Sequence, residues 1–117
     1  MFDIIKDIWR NPGATYSPMP FWFWNDTLDR DELIRQLDDF HRHGVDGVVI
    51  HPRLGFAGVD YLSDEYFEIV KAVCEAAKKR FMLVVLYDEG MYPSGSAHGE
   101  VVGEDERLAA RRKLFEV

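Results

Sequence analysis

Three short apolar runs constrain this chain more than any other feature. Phe21-Trp22-Phe23-Trp24, Gly47-Val48-Val49-Ile50-His51 and Met82-Leu83-Val84-Val85-Leu86-Tyr87 are separated by two segments of helical periodicity. Strand, helix, strand, helix, strand is the order of crossover connections, which lay successive strands parallel in one sheet. The runs are apolar on both sides, as strands covered on both faces are.

The intervening segments carry their own start and stop signals. Asp29, with Glu32 three residues on, resembles a capping box, and Leu33, Ile34, Leu37 and Phe40 form one apolar face before Gly44. The second helix opens at Ser63 with Asp64 and Glu65 in its first turn. In it Phe67, Val70, Val73, Cys74 and Ala77 recur at helical spacing, and Lys78, Lys79 and Arg80 complement its C-terminal end. Residues 1–19 read as a lead-in, with Ile4, Ile5, Ile8 and Trp9 on one helical stripe that Asn11-Pro12-Gly13 ends. A polar, Gly-rich loop from Asp88 to Gly103 leads to a last helix, about Asp105 to Phe115.

Residues 20–117 therefore read as α/β, the first three strand–helix units of a parallel (β/α)8 barrel. The 117 residues fall short of the roughly 250 of a complete barrel. Three parallel strands alone leave two open edges, so truncation is the expectation, with self-association through those edges in the isolated chain. A flavodoxin-like half-sheet is the alternative, but Asn25-Asp26-Thr27 lacks the glycine of a phosphate loop.

Hydrophobic residues make up 47% of the chain, which supplies a core and excludes disorder. The formal charge of −7 repels a phosphate backbone, so nucleic acid is not an expected partner. Cys74, the single cysteine, has no internal disulfide partner and fits a reducing compartment. Met1 to Asp7 has no signal-peptide pattern, and the longest apolar stretch, Phe81 to Tyr87, is too short to span a bilayer. The expectation is a soluble, cytoplasmic protein with no membrane partner.

Ligands of parallel α/β folds gather at the C-terminal ends of the strands. All three ends are polar here: Asn25, then His51 and Arg53, then Asp88 and Glu89. His51 and Arg53 are two apart and share a side of an extended backbone, with Pro52 marking the strand end. An Arg fork suits a sugar hydroxyl or a carboxylate, and an imidazole donates or accepts. The plainer alternative pairs Arg53 with an acid and His51 with a loop carbonyl.

Asp88 and Glu89 are adjacent and point to opposite faces, so they do not flank a glycosidic bond as two carboxylates roughly 5–10 Å apart must. One is read as facing the pocket, the other as orienting Arg53 or capping the loop, with a structural salt bridge as the alternative. Trp22 and Trp24 suit either a sugar ring or the core; Trp24, nearer the strand end, is the better ligand candidate. Tyr92, in the loop beyond the acidic pair, completes the substrate-binding set.

His41 and His43 lie two apart at a helix end and read as solvated groups, not metal ligands. Residue type alone allows a metal among His51, Asp88, Glu89 and His98, but no ligand spacing is diagnostic. Ser94-Gly95-Ser96 is not a nucleophile elbow, and the loop is not a P-loop.

Several segments together resemble one family. They are Phe21-Trp22-Phe23-Trp24-Asn25, Gly44-Val45-Asp46-Gly47-Val48, Tyr61-Leu62-Ser63-Asp64-Glu65-Tyr66, and Leu86-Tyr87-Asp88-Glu89 with Pro93-Ser94-Gly95-Ser96-Ala97. The family is the α-L-rhamnosidase-like glycoside hydrolases, family 106 and its relatives, and the likeness runs from about Pro20 to Leu114. It implies a (β/α)8 catalytic domain in a longer chain. It also implies inverting acid/base hydrolysis of a terminal deoxysugar or related glycoside, assisted by calcium. By resemblance Asp88 and Glu89 belong to the substrate pocket, and the general acid and base lie beyond Val117. Two departures, Met91-Tyr92 for Gly-Trp and His98 for a glycine, leave the sugar open. Other readings are a carbohydrate-binding or scaffold barrel without catalysis, and a barrel lyase or isomerase.

Overall fold

The computed structural model describes residues 1–10, 12–90, 95 and 97–109. Its regular elements are α1 (Phe2–Arg10), β1 (Phe21–Trp24), α2 (Arg30–Arg42), β2 (Gly47–Pro52), α3 (Asp64–Lys79), β3 (Leu83–Leu86) and α4 (Glu100–Glu104). The strands form one sheet in the order β1-β2-β3, and both pairings are parallel. Trp24 stands opposite Pro52, and Ile50 opposite Leu86, so the three C-terminal ends lie along one rim.

Local chemistry sets the helix ends. Asp29 accepts from the Glu32 N–H at 2.7 Å, and Ser63 accepts from the Tyr66 N–H at 3.2 Å, each satisfying a backbone donor of the first turn. The Glu32 carboxylate turns forward, to Arg35 at 2.7 Å and Gln36 at 2.9 Å, so the box is closed from one side only. Gly44, at φ 78°, takes the left-handed position that ends α2, with its N–H on the His41 carbonyl. Phe81 fills the corresponding position after α3 at φ 57°, without a glycine's freedom.

Both long helices pack on one face of the sheet. Trp22, Trp24, Val48 and Ile50 meet Leu33, Leu37, Tyr66, Val70, Val73 and Ala77 in a single buried cluster. The Trp22 indole N–H is satisfied by Gln36 Oε1 at 2.8 Å, and Arg80 ties the end of α3 to Asp38 of α2 at 2.5 Å.

The opposite face departs from expectation. Phe21 and Phe23 alternate with the buried tryptophans and are half-exposed, as are Leu83 and Val85. Among the described strand residues on that face only Gly47 and His51 are buried. The buried stripe of α3 is Tyr66, Val70, Val73, Ala76 and Ala77, with Phe67 half-exposed and Cys74 only partly buried. The spacing 66, 70, 73, 77 follows the helical repeat more closely than one beginning at Phe67.

Two further corrections concern the end of the chain. The stretch Asp88 to Gly103 is not all loop, because α4 and a 3-10 turn at Ala97–Gly99 lie within it. A second 3-10 turn, Glu106–Leu108, stands where the last helix was expected to begin, since Asp105 turns its side chain onto the Arg107 N–H. The remainder of that expected helix, like Tyr92, lies outside the described residues. The expected lead-in helix is present as α1, but none of its residues is buried.

Candidate functional site

The rim is held together by its own backbone. The Arg53 N–H donates to the Trp24 carbonyl at 2.9 Å, and the Tyr87 N–H to Ile50 at 3.1 Å. The loops beyond β1 and β2 are then joined by a parallel bridge between Thr27 and Ala57. Leu28 N–H donates to the Ala57 carbonyl at 3.2 Å, and Ala57 N–H to Asp26 at 3.3 Å. Gly55 makes the close approach possible: at φ 100°, a Cβ there would lie 2.4 Å from the Asn25 carbonyl oxygen.

His51 is the best-defined side chain of the group. It is buried on the sheet face away from the helices, stacked on Tyr87 with centroids 4.0 Å apart, and the rings of Phe21 and Phe23 stand nearly perpendicular to it with centroids 5.4 and 5.3 Å away. Its Nδ1 lies 2.9 Å from the Pro52 carbonyl oxygen, the backbone contact that the plainer reading foresaw. Arg53 behaves otherwise. Its guanidinium sits 4.9 Å above the Phe23 ring, and among the described residues it pairs with no carboxylate.

The two carboxylates after β3 separate as adjacent strand residues must. Asp88 is exposed, while Glu89 is buried and accepts from the N–H groups of Gly95 and, at 2.9 Å, Ala97. Glu89 therefore caps the loop. Ala97, His98 and Gly99 all have positive φ, a run of left-handed residues that this carboxylate helps to hold. Tyr61 lies against Gly90 and His98. Burial first, then the charges of Glu89 and Asp88, push its phenol above the usual range.

Trp24 does not join the others. Its ring is buried on the helix side of the sheet against Trp22 and Tyr66, opposite the face that His51 and Phe23 occupy, and this position corrects its expected place on the ligand side. Its indole nitrogen is buried and has no hydrogen-bond partner among the described residues. Asn25 is exposed at the mouth of a cleft of about 270 Å³ lined also by Trp24, Asp26, Asp29, Glu32 and Gln36. The cleft's acids are engaged: Asp26 accepts from the Thr27 N–H at 2.7 Å, and Arg35 and then Gln36 hold the Glu32 carboxyl down to about 2.

The structure thus brings His51, Arg53, Asp88 and Glu89 to one rim with Asn25 at its edge. Phe23 and Tyr61 were missed as site residues. The parallel register, which sets Phe23 opposite His51, would have revealed the first; the second opens one of the family-like segments, but no spacing places it beside Glu89. His41 and His43 are occupied by Asp46 at 2.6 Å and the Asp39 carbonyl at 2.8 Å. Among the described residues no group of three or more His, Cys, Asp or Glu is placed to hold a metal ion.

Comparison with family models, with curated proteins and with solved structures found no match. The chain is α/β, a three-stranded parallel sheet whose strands alternate with helices. No helix among the described residues is long and apolar enough to cross a membrane.

Proposed function

We propose that the chain is the first three units of a (β/α)8 barrel and forms one wall of a carbohydrate-binding site in a glycoside hydrolase. One observation carries this reading: a single rim offers a guanidinium over an aromatic face, a stacked imidazole and an exposed carboxylate. Flat apolar surface edged by donors and acceptors suits a pyranoside, whose C–H faces are apolar and whose edge is hydroxylated. The rhamnosidase-like pattern at Tyr87-Asp88-Glu89 adds a terminal deoxysugar as the substrate class.

This piece supplies binding and not the acid/base pair. Two carboxylates must flank a glycosidic bond, and here Glu89 is spent on its own loop, leaving Asp88 alone. The same fact favours a second reading, a carbohydrate-binding barrel without catalysis.

Titration of the ¹⁵N-labelled chain with methyl glycosides, including the α-L-rhamnoside, tests the proposal. Amides of residues 51–53 and 87–89 should shift, and Arg53→Ala and Asp88→Asn should weaken the response. An unchanged spectrum across the panel sinks it. Aryl glycosides should be left intact by the 117-residue chain, and robust hydrolysis would overturn the division of labour.

A further inference from the structure

The hydrogen bonding of His51 fixes which way its imidazole faces chemically. The Pro52 carbonyl oxygen, 2.9 Å from Nδ1, can only accept, so Nδ1 carries a proton. In the neutral ring Nε2 is then a bare lone pair. No described residue hydrogen-bonds to Nε2. His51 is 3% exposed, and its Nε2 is not among the described side-chain atoms that are buried without a partner.

The ring cannot easily turn to exchange its two nitrogens. Tyr87 lies parallel to it with centroids 4.0 Å apart, and the rings of Phe21 and Phe23 stand nearly perpendicular to it at 5.4 and 5.3 Å. These neighbours offer aromatic surface where a competing hydrogen bond would otherwise form. Two residues along, Arg53 is its opposite in character: five N–H donors and no acceptor, steadied above Phe23.

The geometry points to His51 as the acceptor of the rim, its Nε2 taking a hydrogen bond from a ligand hydroxyl while Arg53 donates to the neighbouring oxygen. Such a pair selects adjacent hydroxyls, one acting as donor and the next as acceptor, as in the vicinal diol of a pyranoside. The inference rests on the carbohydrate reading above and makes His51 a specificity-determining residue.

The test begins with the tautomer. In the ¹⁵N-labelled chain carrying His41→Gln, His43→Gln and His98→Gln, His51 is the sole imidazole. Its long-range ¹H–¹⁵N spectrum at pH 8 should show a protonated Nδ1 and a pyridine-type Nε2. The unsubstituted chain, with His51 assigned by its loss in His51→Gln, gives the same reading should the triple variant not fold. A protonated Nε2 overturns the inference, whatever the chain binds.

Methyl α-L-rhamnopyranoside is then added. Movement of the Nε2 resonance supports the assignment, and a glycoside lacking the vicinal diol should move it far less. His51→Phe, which keeps the stack on Tyr87, should weaken binding about tenfold, the worth of one hydrogen bond. Rim amides that shift while Nε2 stays still overturn the inference and leave the carbohydrate reading standing. If no amide responds to any glycoside, the carbohydrate reading falls and the diol with it, a result distinct from a reversed tautomer.

Discussion

At the scale of single residues, the described rim depends on groups that spend their hydrogen-bonding capacity on backbone. Glu89 is the clearest instance, a buried carboxylate that accepts from Gly95 and Ala97. Glu89→Ala should cost roughly 1–3 kcal/mol in denaturant unfolding, because two N–H groups lose their acceptor. It should also speed amide exchange at residues 95–99 ahead of the rest of the chain. Phe81 gives a prediction of the other sign. It holds φ 57° and is 86% exposed as a residue, so Phe81→Gly relieves strain and forfeits little burial. A gain of about 0.5–1 kcal/mol is expected after the added freedom of the unfolded chain is counted, and the shift in urea midpoint measures it.

At the scale of elements, caps and cross-links between helices decide how firmly the framework holds. Ser63→Ala should cost about 1 kcal/mol by removing the cap of α3. The hydrogen bond from Arg80 keeps the Asp38 carboxyl below its ordinary value, and Arg35 does the same for Glu32. Depressed carboxyls contribute stability above their unfolded values, near ~4, and lose it as pH falls through the folded ones. Thermal stability should therefore drop between about pH 4 and 2, and Asp38→Asn should flatten part of that decline.

These elements were also the legible part of the sequence. Asp29 and Ser63 marked their helix starts because a short side-chain acceptor before an apolar repeat has one cheap use. The parallel order followed from alternation alone. What stayed hidden depended on partners: that Phe21 and Phe23 stand half-exposed, that Tyr66 is buried where Phe67 is not, and that Glu89 and not Asp88 turns to the loop. Periodicity places a residue on a face, but only packing says what that face meets.

At the scale of the whole molecule, one core carries the described fold, and all of it lies on a single side of the sheet. Leu37, fully buried at its centre, should cost about 2–5 kcal/mol as Leu37→Ala, read by the same denaturant titration. The rim is built differently, since the loop after β1 and the loop after β2 share the Thr27–Ala57 bridge, and Gly55 lets one press on the carbonyl of Asn25. The two cannot be re-engineered one at a time. An insertion in either would pull the other out of place, so any redesign of this end must transplant both together, as a single cassette with Gly55 at its seam.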